Sequence, residues 1–285
     1  MQRVILLCDN TFGVKGCDVD DGLALLMLLG SDAVKVEAVC TCYGNSTIDV
    51  VHENTLRFMN ELKLDIPVYK GAASPAEPIS EAAKFMAAYC AQNSGEVAIL
   101  STGSTTDLLG AQLVDADFFK HVPSITMMGG VTESLHIKGG KIMDELNLSC
   151  DPHATLAVLS APCKIAIASA QNCMPAFFTW QEFADEFGED SWILQAIDYW
   201  FDDMDEAYKW NGWVAWDPVA AAMLTAPQLF DWKHKQITLY ERFLSVGYLE
   251  QANKDVPQAK IAFPEIKDVQ AFKKYAFEAW KRALL

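Results

Sequence analysis

The sequence lacks the marks of membrane, disulfide-rich and nucleic-acid-binding proteins. No apolar run approaches the ~20 residues that a helix needs to span a bilayer, and the apolar start of the chain is too short for a signal peptide. None of the 8 cysteines belongs to a CxxC pair, which is typical of reduced thiols in the cytoplasm. Lysine and arginine are scarce, 22 against 38 acidic residues. We therefore expect a cytoplasmic protein that binds neither membrane nor nucleic acid.

Linkers, internal repeats, low-complexity stretches and a GxSxG nucleophile motif are also absent. Hydrophobic residues make up 51% and charged residues 21% of the 285 positions, as in an ordinary globular protein. The net charge of -16 favours a cation site or a neutral, polar substrate. The simplest expectation is a single domain over residues 1–285.

Short apolar runs alternate with segments of helical periodicity along the first 170 residues. This alternation predicts an α/β fold, a doubly wound, mostly parallel sheet with flanking helices. Residues 179–212 are predicted to be helical, residues 138–141 to form a hairpin or excursion, and a further helix to begin near Asp217. The C-terminal part is predicted to hold a few antiparallel strands and a closing helix over 268–284. The predicted strands of the sheet are 4–7, 34–44, 66–71, 97–103, 124–130 and 163–169.

Four carboxylates lie between the first strand and the first helix: Asp9, Asp18, Asp20 and Asp21. Carboxylates so close in sequence repel one another unless a cation or a helix N-terminus compensates them. Asp18 could simply cap the helix, with Asp20 and Asp21 in its first turn. Capping does not need Asp9, which ends the strand. Helix capping therefore accounts for three of these acids, and a metal or ligand site is the alternative that also accounts for Asp9.

Four predicted strands end in polar or glycine-containing loops, which carry Asp9, Asn45, Thr102-Gly103 and Gly129-Gly130. The carboxyl ends of parallel strands meet at one edge of a sheet, where α/β proteins bind their ligands. We expect these loops to converge on one pocket.

Nine short motifs, taken in order, resemble the inosine-uridine-preferring nucleoside N-ribohydrolases over nearly the whole chain. Each motif alone is weak, but their order and spacing are specific. The motifs are Cys8-Asp9, Asp20-Asp21-Gly-Leu-Ala-Leu-Leu, Tyr43-Gly44-Asn45, Pro67-Val-Tyr-Lys-Gly71, Ser101-Thr102-Gly103, Met127-Met-Gly-Gly130, Glu145-Leu-Asn147, Asp151-Pro152 and Asp217-Pro218.

The resemblance implies one bound Ca²⁺ and a small nucleoside substrate. Its ligands would be the carboxylates of Asp9, Asp21 and Asp217 and the backbone carbonyl of Thr102, an all-oxygen set that suits Ca²⁺ and not Zn²⁺. A water and the ribose 2'- and 3'-hydroxyls would complete the coordination. A homo-oligomer is also implied. The side chains that would hydrogen-bond the sugar are Asp20, Asn45, Glu145 and Asn147.

The implied activity is hydrolysis of the N-glycosidic bond of ribonucleosides. Carboxylates around the sugar would stabilise an oxocarbenium-like transition state, and Asp9 is the best candidate to take the proton from the attacking water. Trp216 stands where many relatives have a histidine before the late aspartate. The purine-preferring branch resembles this arrangement, in which an aromatic ring stacks on the base. An ordinary core tryptophan is the alternative interpretation of Trp216.

The sequence departs from the family pattern at two places. Ten residues separate Asp9 from Asp20, the usual Pro-Gly is lost, and the additional Asp18 could replace Asp9 as ligand or base. Where the family has an asparagine for the ribose 5'-hydroxyl, this chain has the stretch 138–141. A changed 5' pocket is compatible with a modified ribose, another substrate, or a metal-retaining relative with little or no turnover that binds nucleoside or ribose. A phosphatase with Asp9 as nucleophile is a third hypothesis, which lacks the second aspartate that such enzymes use.

Overall fold

A mostly parallel eight-stranded sheet forms the centre of the protein, as expected. The computed structural model describes residues 1–137, 141–253 and 255–285. The strand order in the sheet is β11-β12-β8-β5-β4-β1-β2-β3, and β11 is its antiparallel edge strand. The strands are β1 (Gln2–Cys8), β2 (Val34–Thr41), β3 (Val68–Tyr69), β4 (Val97–Ser101), β5 (Ser124–Met128), β6 (Leu135–His136), β7 (Ile142–Met143), β8 (Lys164–Ala168), β9 (Phe177–Thr179), β10 (Gly212–Val214), β11 (Phe230–Thr238) and β12 (Gln258–Ile266).

Helices cover both faces of this sheet. Alternate side chains of β1 point to opposite faces: Val4 and Leu6 join one hydrophobic core, whereas Ile5 and Leu7 join the other. Within the described residues no helix is long and apolar enough to cross a membrane. The helices are α1 (Asp20–Leu29), α2 (Ile48–Glu61), α3 (Glu81–Gln92), α4 (Thr106–Val114), α5 (Phe118–His121), α6 (Pro152–Leu159), α7 (Ala170–Cys173), α8 (Trp180–Phe187), α9 (Trp192–Tyr208), α10 (Trp216–Thr225), α11 (Glu241–Leu244) and α12 (Val269–Ala283).

Side-chain caps begin several helices, but α1 begins without one. Thr47 accepts a hydrogen bond from the amide of Val50 at the start of α2, and Asp151 accepts one from Ala154 at the start of α6. The cap position of α1 is Val19, which has no capping side chain. The acids of its first turn, Asp20 and Asp21, are instead buried at the edge of the sheet.

Helix α12 holds α1 in place. The indole of Trp280 donates to the carbonyl of Leu23 at 2.9 Å, and the guanidinium of Arg282 donates to the carbonyl of Gly30 at 2.6 Å. The two backbones touch at Gly30, where an added Cβ would lie 1.8 Å from the carbonyl oxygen of Ala279. The first helix therefore depends on the last one for its position.

Four elements differ from the sequence-based predictions. The predicted helical segment 179–212 is two helices, because Gly188 (φ 87°) ends α8 and Ser191 caps α9. Strands β9 and β10 on either side form a small ribbon that the sequence did not indicate. The third strand has only two residues, and the C-terminal hairpin joins the main sheet through β12 beside β8. Of the predicted hairpin, residues 138–140 lie outside the described residues, and the flanking strands β6 and β7 pair antiparallel.

The strand order reverses direction between β1 and β4, which lie side by side in the middle of the sheet. Such a switch point leaves a crevice at the carboxyl ends of the two strands, where open α/β sheets bind ligands. Asp9 follows β1 and Thr102 follows β4, so both lie at this crevice.

Candidate active site

The loops after β1, β2 and β4 are joined by hydrogen bonds at the crevice. The backbone amide of Asn45 donates to Oδ2 of Asp9 at 2.5 Å, and its side-chain amide donates to Asp21 at 3.2 Å. The hydroxyl of Thr102 donates to the other oxygen of Asp21 at 2.7 Å. Three of the four strand-end loops that were expected to converge therefore meet here.

Three carboxylates form a compact cluster at this point: Asp20, Asp21 and Asp217, with one oxygen of each within 4.8 Å of the others. Asp217 comes from the first turn of α10, and its backbone amide donates to Asp20 at 3.0 Å. All three side chains are buried. Oxygen-only clusters of this kind can hold a hard divalent cation.

Asp9 lies in a tight cradle beneath this cluster. A Cβ at Gly44 would come within 2.0 Å of its Oδ2, and one at Gly103 within 2.7 Å of its Oδ1. Among the described residues, its Oδ1 is buried without a hydrogen-bond partner. Burial raises the pKa of Asp9 to about 6. A buried carboxylate oxygen without a partner is a candidate ligand atom for a cation.

The acidic cluster has no compensating positive charge in the part of the chain that is described. No ion pair there involves the five carboxylates of Asp9, Asp18, Asp20, Asp21 or Asp217. Burial raises the pKa of each, and the neighbouring negative charges raise the pKa of Asp217 further. Without a cation, these groups would have to take up protons to remain buried.

Asp18, the additional acid of the long first loop, lies beside Asp20 at the rim of the cavity. Its Oδ1 accepts hydrogen bonds from the backbone amides of Val19 at 2.6 Å and Asp20 at 3.3 Å. Thr11 braces the loop by donating to the carbonyl of Asp18 at 2.8 Å. Asp18 is not one of the three clustered carboxylates.

The crevice opens into a cavity of about 610 Å³, including solvent at its mouth. Asp9 and Asp21 are absent from its described lining and lie under its floor, 1% exposed each. The described lining residues are Asp18, Asp20, Asn45, Thr102, Met128, Val131, Leu135, Met143, Asp144, Glu145, Leu146, Asn147, Ala170, Trp216 and Asp217.

Asn147 and Glu145 both line the cavity, but Asn147 donates hydrogen bonds to the main chain and Glu145 accepts them. The side-chain amide of Asn147 donates to the carbonyls of Thr102 at 3.0 Å and Met128 at 3.2 Å, which ties it to the ends of β4 and β5. Both oxygens of Glu145 already accept backbone amides: Oε1 from Gly130 and Leu148, and Oε2 from Ser149. Glu145 therefore braces the wall of the cavity.

Trp216 begins α10 and lines the cavity next to Asp217. Its backbone carbonyl accepts a weak hydrogen bond from the thiol of Cys173 at 3.6 Å. The side chain is half-buried and also packs against the hydrophobic core. The ring thus has one part in the core and another at the cavity.

One wall of the cavity was missed from the sequence. It is apolar, and we call it the methionine wall: Met128, Val131, Leu135, Met143 and Leu146. Met128 ends β5, and its place could have been inferred from the Met-Met-Gly-Gly motif at that strand end. Leu135 and Met143 come from β6 and β7, which carry no periodic pattern in the sequence.

The fold and this acidic crevice define an α/β protein with a candidate metal centre at its switch point, and comparisons with known proteins give its class. The model of the inosine-uridine preferring nucleoside hydrolase family matches residues 8–274. The chain therefore belongs to this family of metal-dependent nucleoside hydrolases, and it is an enzyme of that kind. The phosphatase hypothesis is not supported.

Individual relatives are distant but similar over most of their length. The pyrimidine-specific ribonucleoside hydrolase RihA of Shewanella woodyi is 25% identical over 262 residues, which cover 80% of this chain and 81% of the relative. The structure of a plant nucleoside hydrolase, PpNRh1, superposes with a TM-score of 0.81 at 19% identity and 99% coverage of both chains. That of the purine-preferring ribonucleoside hydrolase from Gardnerella vaginalis gives 0.80 at 17% identity and 99% coverage of both.

Proposed function

We propose that this protein is a calcium-dependent nucleoside N-ribohydrolase with a preference for purine nucleosides. The observation that carries the proposal is the group of buried carboxylates at the switch point, which lacks a counter-charge among the described residues. Burial of so many like charges is unfavourable by itself and becomes favourable when a divalent cation binds.

The residues present fit Ca²⁺ by chemistry and by space. The carboxylates of Asp9, Asp21 and Asp217 and the carbonyl of Thr102 would hold it, and the unpartnered Oδ1 of Asp9 is a free oxygen ligand. Gly103 lies beside that oxygen and Gly44 beside Oδ2, and neither has a side chain that would fill the space at the carboxylate. When bound, the cation supplies positive charge that fixes the ribose diol and favours deprotonation of a nearby water.

The side chains of this protein would then carry the reaction. We assign Asp20, Asn45 and Asn147, which line the cavity, to hydrogen bonds with the ribose hydroxyls. Their negative and dipolar groups stabilise positive charge that develops at C1'. Asp9 accepts a proton from water, whose oxygen bonds to C1'. The C1'–N bond breaks with its electron pair on the base, which takes up a proton.

Trp216 carries the proposed preference for purines. A large ring beside a planar base favours the larger aromatic surface, and stacking stabilises the base as it leaves. The relatives differ in specificity, because RihA is named as pyrimidine-specific and the Gardnerella enzyme as purine-preferring. The ring at position 216 is thus the feature of this chain on which the preference rests.

A direct assay tests the activity and its specificity. Ribose release is measured with inosine, guanosine, adenosine and uridine, in calcium and after chelation. We expect faster release from the purine nucleosides, loss of activity on chelation and recovery with calcium. The variant Trp216→Leu should reduce the purine-to-uridine ratio of kcat/KM by about tenfold, a typical loss for one stacking contact. No release from any nucleoside in calcium would overturn the proposal, and undiminished release after chelation would overturn its calcium dependence.

The protein is further proposed to act as one domain, as a homo-oligomer, in the cytoplasm. The family match over residues 8–274 supports a single domain, and free cysteines at all eight positions support a reducing environment. Light scattering of the purified protein checks the oligomeric state. A monomeric mass at micromolar concentration would contradict the homo-oligomer.

A further inference from the structure

The cavity is divided into a polar and an apolar half along the edge of the sheet. The polar half is formed by Asn45 after β2, Asp20 at the start of α1, Thr102 after β4, and Asp217. The methionine wall follows β5, and Ala170 follows β8. A ribonucleoside bound by its diol at the carboxylates must therefore extend its other substituents toward the apolar half.

A ribose has two such substituents, the base at C1' and the 5' carbon at C4'. Both project from the side of the ring opposite the diol. With the base stacked on Trp216, as proposed above, the methionine wall is the apolar surface of the cavity that is left for the 5' group.

Glu145 lies beside the methionine wall and directs its carboxylate toward the main chain. Glu145 uses both carboxylate oxygens for the amides of Gly130, Leu148 and Ser149. Gly247 closes the remaining side of the carboxylate, since a Cβ there would lie 2.0 Å from Oε2. A hydroxyl pressed against the five apolar side chains of the methionine wall would lose water without gaining a partner from them, which is unfavourable.

Charge excludes the other common 5' substituent, a phosphate. The described lining contains five carboxylates, those of Asp18, Asp20, Asp144, Glu145 and Asp217, and no basic side chain. A phosphate dianion would be repelled and would find no cationic partner.

We propose that the preferred substrates are purine nucleosides with an uncharged, apolar 5' group, namely 5'-deoxy-5'-alkylthio nucleosides such as 5'-deoxy-5'-methylthioadenosine. This inference rests on the proposed function. The thioether would pack against the polarizable sulfurs of Met128 and Met143. Water cleaves the C1'–N bond as before, which releases the base with a proton and 5-methylthioribose, and the thioether bond stays intact.

The test compares kcat/KM for 5'-deoxy-5'-methylthioadenosine and adenosine, and for the matched inosine pair, by release of reducing sugar in calcium. We expect kcat/KM to be at least about tenfold higher for the alkylthio substrates. This is the lower end of the discrimination that an apolar pocket achieves for one methyl-sized group. Met143→Asn should bring the ratio near one. Ile142→Asn is the matched control, because Ile142 is the neighbouring residue, is 57% exposed and does not line the cavity, so the ratio should persist.

The outcomes separate this inference from the proposed function. Release from adenosine and inosine at rates equal to or above those of the alkylthio substrates overturns the inference and leaves the nucleoside hydrolase activity in place. Release from none of the four overturns both. An alkylthio preference that survives Met143→Asn overturns the assignment of the methionine wall to the 5' group.

Discussion

Replacing Asp217 by asparagine should stabilise the metal-free protein and remove its response to calcium. Its carboxylate oxygen lies within 4.8 Å of those of Asp20 and Asp21. Two unit charges at that distance repel by about 3.5 kcal/mol at an effective dielectric constant near 20. Because the cluster already relieves part of this repulsion by taking up protons, we expect a gain of about 2–3 kcal/mol. The new amide can also donate to Asp20.

The change in melting temperature follows from the size of the chain. An unfolding entropy of about 2.1 cal/mol/K per residue gives about 0.6 kcal/mol per degree for 285 residues. In chelator, Asp217→Asn should therefore melt about 3–5 °C above the wild type. Calcium at 100 times its Kd should raise the wild type by about 2.7 kcal/mol, again about 4–5 °C, and should leave the variant unchanged.

Calorimetry in chelator and in calcium, with elemental analysis of bound metal, measures both effects. Asp151→Asn is the control, since Asp151 is a buried aspartate that caps α6 and is not one of the three clustered carboxylates. It should lose stability and keep the calcium-induced shift. A variant Asp217→Asn that melts below the wild type in chelator and still binds calcium would refute the reasoning.

Three further predictions concern single side chains. Asp9→Asn should lower kcat by about 10²–10⁴-fold with KM little changed, which is the usual effect of removing a general base. Steady-state assays of ribose release measure both constants, and a nearly normal kcat would assign the role of base to Asp18 instead. Burial raises the pKa of Asp107 from 3.8 to about 6, so the folded state holds this proton more tightly than the unfolded state. The free energy of unfolding therefore falls as pH rises from about 4 to 6, and the loss is about 3 kcal/mol at pH 7. The melting temperature of Asp107→Asn relative to the wild type should therefore increase as pH rises through that interval. A difference in melting temperature that does not change with pH would contradict the raised pKa. Trp280→Ala should lower the free energy of unfolding, measured by urea denaturation, by about 3–5 kcal/mol, because the ring is fully buried. Trp232→Ala, at an exposed position, should lower it by less than about 1 kcal/mol.

The sheet and the convergence of its loops could be predicted because both follow from local pattern. Apolar runs in β1, β2 and β4 give buried parallel strands, and parallel strands bring their carboxyl ends together. Asp9 and Thr102 are placed by that rule alone. The family resemblance then indicated Asp217, which is distant in sequence from the rest of the site.

The remaining features depend on tertiary contacts that a sequence pattern does not encode. The break between α8 and α9 was missed because both sides have the same helical period. Leu135 and Met143 become a wall only through the pairing of two very short strands. Whether Glu145 faces a sugar or the main chain is decided by where Gly130 and Ser149 place their amides.

The contact between α12 and α1 also sets when the active site can form during synthesis. The hydrogen bonds from Trp280 to Leu23 and from Arg282 to Gly30 span 257 and 252 residues. At about 5–20 residues per second, the ribosome needs about 13–50 s to make that stretch. Until then α1, with two carboxylates of the acidic cluster, lacks the hydrogen bonds and the backbone contact that α12 supplies. We therefore expect the proposed metal ion to bind tightly only near the end of translation.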